Sequence, residues 1–247
     1  MIIEQNTQGY RYSIEPFLLA DFVALVAGDR VLDIGTGCGI IPLLLICRES
    51  RLRITAVEIQ KSLHGMASEN VARNKLSGQI QVLNGDFTTL APSLGKELFD
   101  LVLSNPPYRK INTGRTNPSE EKAIARHEIS LNLASILKES ACLLKPEGKI
   151  ALAYPPLRLA EVLAQMNAYE LFPSRLRFIH GSRGADAKIF LVEGVKGRKT
   201  DCIVENPLYV YQKDNVYTEE MERIYASFNH TDRPDHIEKE RHGGCVG

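Results

Sequence analysis

The sequence predicts an α/β protein: a seven-stranded, mostly parallel sheet with helices on both faces and an antiparallel hairpin near the C-terminus. Three observations lead there. Short apolar runs alternate with helix-periodic stretches, as at Val31 to Ile34, Leu52 to Val57, Ile80 to Leu83 and Leu101 to Leu103. The first run passes Asp33 into three glycines at alternate positions, Gly35, Gly37 and Gly39, and then into an apolar run from Ile40. Glycines there let the backbone turn tightly and approach a ligand closely. The run from Phe99 ends in Asn105, Pro106, Pro107 and Tyr108, where two fixed φ angles and two missing amide donors force the chain out of the sheet.

In chain order, Ser13 is a plausible cap, Pro16 is tolerated in a first turn, and Leu18, Phe22 and Leu25 recur at helical spacing, so Ser13 to Val26 reads as a helix packed on the domain downstream. Arg30 to Ile34 is the first strand and Ile40 to Arg48 the first crossover helix, with Pro42 in its first turn. The second strand, Leu52 to Val57, ends in Glu58; Leu63, Ala67 and Val71 mark the next helix, and Ile80 to Leu83 a third strand. After the fourth strand, Arg109 to Arg126 lacks apolar periodicity and reads as a mildly basic loop, a lid or substrate contact in one reading and solvated charge in the other. Leu133, Leu137, Ala141 and Leu144 predict a helix ended by Pro146 and Gly148; Lys149 to Ala153 is a fifth strand and Leu157 to Met166 another helix. Ser174 to Ile179 and Lys188 to Glu193 are joined by a loop too short for a parallel crossover, so they pair antiparallel. Leu208 to Gln212 adds a short edge strand, Thr218 to Phe228 a final helix, and the polar stretch from His230 reads as a disordered tail. This divides the chain into an N-terminal helical extension (1–28), one domain (29–228) and a tail (229–247).

Composition narrows the function. Thirty lysines and arginines balance thirty aspartates and glutamates, so a polyanion site must be local. The N-terminus lacks the basic start and apolar core of a signal peptide, and no apolar run approaches the ~20 residues of a membrane helix, which points to the cytoplasm. Five scattered cysteines without a CxxC pair argue for reduced thiols and against a zinc site. Between Arg175 and Lys199, Arg175, Arg177, Arg183, Lys188, Lys196, Arg198 and Lys199 face only Asp186 and Glu193, the best candidate for a phosphate-backbone surface, although a strand's wet face shows the same alternation.

Two stretches carry chemistry. Dinucleotide folds favour GxGxxG at the strand-to-helix turn, whereas this turn is GxGxG, which favours S-adenosylmethionine over NAD. Glu58 stands about 20 residues beyond the glycines, where an acid meets two ribose hydroxyls; a strand-end carboxylate in water is the competing reading. Asp86 can accept from an adenine amine with Phe87 covering the ring, against a plain Asn-Gly turn at Asn84 and Gly85. In the second stretch, Asn105 adds a side-chain carbonyl and Tyr108 a flat face to the proline lip, which together suit a planar group carrying an NH2, a ring amine or an amide.

These motifs resemble the class I S-adenosylmethionine-dependent methyltransferases, a Rossmann-like fold, and NPPY resembles their amino-methylating branch. Tyr10 to Phe22, the stretch from NPPY to Ala123–Glu128 (AIARHE), KPEGKIALAYPP, NPLYVY and YTEEM are similar to the bacterial tRNA(Val) adenine-N6 methyltransferase family. The resemblance implies cofactor contacts at Asp33, Gly35, Thr36, Gly37, Gly39, Glu58, Ile59, Asp86, Phe87 and Asn105. It implies reaction at Asn105, Pro106, Pro107 and Tyr108, and substrate contacts at Tyr10, Arg11, Arg109 and His127. Arg109 and Lys110 follow NPPY where several relatives have an aromatic, a departure that bears on the substrate. The implied partner is RNA, a tRNA; a protein glutamine, a small molecule, or a non-catalytic RNA-binding role on the same fold are the alternatives.

Overall fold

The computed structural model describes residues 14–106, 133–212 and 216–228. Its centre is a sheet whose strands are β1 (Arg30–Ile34), β2 (Arg53–Glu58), β3 (Ile80–Asn84), β4 (Phe99–Ser104), β5 (Leu144–Tyr154), β6 (Leu171–His180), β7 (Ala187–Lys196), β8 (Ile203–Val204) and β9 (Leu208–Tyr209). Their order is β3-β2-β1-β4-β5-β7-β6-β8, with β9 also on β6. The first five pair in parallel, and β7 runs antiparallel to both β5 and β6. Nine strands among the described residues replace the expected seven. β9 falls within the short edge strand expected over Leu208 to Gln212, whereas β8 was not expected; each is two residues long and is held by parallel pairing to β6.

Among the described residues, seven α-helices flank the sheet: α1 (Glu15–Phe22), α2 (Ile40–Arg48), α3 (Lys61–Arg73), α4 (Phe87–Leu90), α5 (Leu133–Leu143), α6 (Leu159–Ala168) and α7 (Glu219–Ser227). Period-two alternation in the strands divides the apolar side chains between two cores. Val31, Ile54, Leu101, Leu103 and Leu191 pack with α1, α2 and α7 on one face, and Leu32, Ile34, Val102, Leu152 and Val192 with α5 and α6 on the other. Arg48 donates to the carbonyls of Ala20 and Val23, and Arg175 to that of Phe22, so two guanidinium groups satisfy the carboxyl end of α1.

The expected helix through Leu144 stops one residue earlier, and β5 follows without a loop. Pro146 and Gly148, read as helix terminators, instead belong to a bulge. Phe99 pairs with Leu144 and Leu101 with Lys149, which leaves the residues between looped out of register. Gly148 is required there, because a Cβ would lie 2.9 Å from the Lys145 carbonyl oxygen.

Candidate active site

The strand order reverses at β1, whose neighbours β2 and β4 are reached by crossovers in opposite directions. A crevice opens at the carboxyl ends of such strands. The glycine loop is folded into it by its own amides: Gly35 and Thr36 both donate to the Val57 carbonyl, at 2.9 and 3.0 Å, and Gly39 donates to Thr36 O at 3.0 Å. Gly35, Gly37 and Gly39 have φ of 75°, 60° and 82°, values that only glycine adopts without strain. At Gly39 there is a second demand, since a Cβ would come within 3.2 Å of the Ala67 Cβ on α3.

Glu58 ends β2 facing this loop and is 4% exposed. Its Oε2 accepts from Gly37 N and its Oε1 from Gln60 N, each at 2.8 Å. A carboxylate oxygen has two lone-pair positions, so holding the loop is compatible with meeting a diol. Asn84 Nδ2 and Gly85 N donate to the Glu58 carbonyl at 2.9 and 3.1 Å, which ties the end of β3 to the same place, and Ile59 contributes its carbonyl to Asn84 Nδ2 at 3.3 Å.

Asp33 is fully buried, and among the described residues neither of its oxygens nor the Thr36 hydroxyl has a hydrogen bond of normal geometry. Burial pushes its pKa up to about 7; the nearby Thr36 hydroxyl opposes this and the Glu58 charge adds to it. An unsatisfied buried carboxylate costs about 1–3 kcal/mol or more, a cost that a cationic ligand would offset. Burial also pushes the Cys38 thiol up to about 11, which keeps it protonated and unreactive.

The lip adjoins the loop. Ile34 pairs with Ser104, and the buried Ser104 hydroxyl donates to the Ile34 carbonyl at 3.0 Å, pinning β4 to β1 where both chains leave the sheet. Asn105 follows half-buried and Pro106 buried. Asp86 caps α4: its Oδ1 accepts from Thr88 N at 2.8 Å and Thr88 Oγ1 at 2.7 Å. Phe87, the neighbour expected to cover a ligand ring, is 1% exposed and packs in the second core. Pro107, Tyr108, Tyr10, Arg11, Arg109 and His127 lie outside the described residues. Two positioning residues were missed. Asn70 on α3 is fully buried and donates to the Cys38 carbonyl at 2.9 Å, and Ser104 makes the strand tie just described. The signal for Asn70 was an amide on the face set by Leu63, Ala67 and Val71.

Residues 16–167, which span the glycine loop and the lip, match the family model described as methyltransferase small domain. The chain belongs to the methyltransferase small-domain family. A tRNA1(Val) (adenine(37)-N6)-methyltransferase from Tolumonas auensis is 30% identical over 228 residues, 92% of each chain. One from Bacteroides thetaiotaomicron is 31% identical over 212 residues, 85% of this chain and 86% of that one. The crystal structure of a predicted O-methyltransferase from Agrobacterium tumefaciens shares the fold, with a TM-score of 0.70 at 21% identity, covering 86% of this chain and 96% of that one. For this methyltransferase the site fits S-adenosylmethionine on its own chemistry. The orphaned Asp33 and Thr36 oxygens suit a cationic amino-acid group, Glu58 a ribose, and the glycine loop a close backbone approach.

Proposed function

We propose that this methyltransferase transfers the methyl group of S-adenosylmethionine to the exocyclic N6 amine of an adenosine in tRNA. The observation that carries the reading is the Ile34–Ser104 junction, which sets the glycine loop beside Asn105 and Pro106. The similarity of the two tRNA adenine-N6 methyltransferases over nearly their whole length supports the choice of acceptor. No described helix is long and apolar enough to cross a membrane. A tRNA substrate supports the reading of a cytoplasmic enzyme.

An exocyclic amine is a weak nucleophile because its lone pair is delocalised into the ring. When Asn105 Oδ1 and the Pro106 carbonyl accept its two N–H groups, the nitrogen pyramidalises and the lone pair returns to it. Bound S-adenosylmethionine supplies an electrophilic methyl with a neutral thioether as leaving group. Asn105 and Pro106 would aim the lone pair at the methyl that the cofactor would supply in an in-line displacement, and as acceptors they would stabilise the positive charge on nitrogen until one amine proton leaves to water. Tyr108, two residues beyond Pro106 in sequence, supplies the ring on which an unstacked base lies.

The test is methyl transfer to purified total tRNA and, separately, to a protein extract, with nucleosides analysed by mass spectrometry. N6-methyladenosine in the tRNA is expected, and Asn105→Ala lowers turnover about 100-fold or more while keeping cofactor affinity. Label confined to protein overturns the acceptor, and unchanged turnover in Asn105→Ala removes that side chain from the reaction.

A further inference from the structure

Seven cations between Arg175 and Lys199 marked a candidate phosphate surface, and the structure sorts them. Arg175 meets Glu193 at 3.3 Å and Glu205 at 3.1 Å; Arg177 meets Glu220 at 2.5 Å and the Asn206 carbonyl at 3.0 Å. Lys196 reaches Glu97 at 3.4 Å and the Leu144 carbonyl at 2.7 Å, and Arg198 reaches Glu147 at 3.6 Å. Those four charges are neutralised within the protein. Lys199, 5.9 Å over the Phe172 ring, follows the far end of β7. Arg183 and Lys188 remain: both are exposed, and neither has a carboxylate in ion-pair range among the described residues.

Topology carries these two to the edge of the sheet that holds the site. Tyr154 pairs with Phe190 and His180 with Ala187, so the β6–β7 turn projects past the carboxyl ends of β5 and β4. Counted in strand spacings and rise per residue, its backbone stands roughly 15–20 Å from Asn105. Leu157, 99% exposed just after β5, lies at the same edge.

The turn has a built surface. Ala185 N donates to Ser182 O at 3.2 Å, His180 Nδ1 lies 2.7 Å from the Ala185 carbonyl, and β9 ties the turn down through Val210 N to His180 O at 2.9 Å and Tyr211 N to Gly181 O at 2.8 Å. The His180 and Tyr209 rings are 5.4 Å apart, with the Arg183 guanidinium 5.8 Å from the Tyr209 centroid. Asp186 is the one acid between His180 and Lys188.

We propose that Arg183 and Lys188, backed by the His180–Tyr209 pair, hold the RNA strand that flanks the target base. This rests on the RNA reading of the site and extends it to the substrate's backbone. A chain of zero net charge needs local cations to attract a polyanion, and a guanidinium beside aromatic rings suits single-stranded nucleotides, whose phosphates and bases are both exposed.

The experiment measures binding of fluorescent total tRNA by anisotropy across a salt series for wild type, Arg183→Ala/Lys188→Ala and the control Arg51→Ala/Arg53→Ala at the opposite end of the sheet. Cofactor affinity is measured by calorimetry on each. The site-edge pair is expected to weaken RNA binding about tenfold near 150 mM salt and to lower the salt slope by about 1.4, the value for two phosphate contacts to a single strand. The control keeps the wild-type slope, and cofactor affinity is equal in all three. Wild-type RNA binding with an unchanged slope in the site-edge pair overturns this inference and leaves the methyl acceptor standing. Wild type that neither binds nor methylates RNA overturns both.

Discussion

At the scale of single residues, Asp33 has the sharpest consequence. Its pKa is pushed up to about 7 in the folded chain, above the ordinary carboxylate value of 3.8. The folded state therefore holds a proton that the unfolded state has released across the interval from about 4 to about 7. Stability falls as pH rises through that interval and stays low above it, the reverse of an ion-paired carboxylate. Asp33→Asn removes this slope and raises stability at pH 8 by about 1–3 kcal/mol, read from denaturant midpoints at constant m. The same substitution weakens S-adenosylmethionine binding by about tenfold or more, because the cofactor's cationic group loses its counter-charge. In wild type, calorimetry in buffers of different ionisation enthalpy registers release of a proton on cofactor binding near pH 6 and none near pH 9. A variant that is no more stable removes the burial penalty on Asp33, and binding without proton release removes Asp33 from contact with the cofactor.

At the scale of elements, the glycine loop is held from two sides. β2 reaches it through Glu58 and Gly37, and α3 through Asn70, whose amide fixes the Cys38 carbonyl while Thr36 O accepts from Gly39 N on the same peptide. Asn70→Ala frees that peptide and leaves the carbonyl buried, with an expected loss of about 1–2 kcal/mol and a raised KM for the cofactor at nearly constant kcat. Asn70→Asp does not rescue it, since the lost group is a donor; equal KM in Asn70→Ala shows that the loop holds its own shape. The loop was legible in sequence because glycine spacing is a local signal, and so were β1, β4 and α2, whose bounds follow continuous apolar runs. Asn70 was not, because its partner is 32 residues away. Proline and glycine at 146 and 148 carried a turn signal that served a bulge, and only pairing with β4 decides between the two. The fate of the hairpin cations was equally hidden, since their acids Glu205, Glu220, Glu97 and Glu147 come from other elements.

At the scale of the whole molecule, each central strand feeds both cores, with Val31 on one face and Leu32 on the other, then Leu101 and Val102, then Ala151 and Leu152. Neither core can be lost while the sheet stands, and the sheet loses its apolar cover if either layer leaves. The described residues should therefore melt in one transition, with far-UV circular dichroism and the fluorescence of nine tyrosines, free of any tryptophan, coinciding. S-adenosylmethionine at 100 times its Kd adds about 2.7 kcal/mol. At about 2–4 °C per kcal/mol for a domain of this size, the midpoint should rise about 5–10 °C by both probes together. The tyrosines make the comparison discriminating. Tyr209, Tyr211, Tyr217 and Tyr225 belong to the C-terminal packing around β9 and α7, far from the glycine loop in sequence, yet they answer to the cofactor if the sheet couples them. A tyrosine transition that precedes the dichroism change, or one that ignores the cofactor, would show that the C-terminal elements unfold on their own and that the β6–β7 turn is anchored to a separate unit.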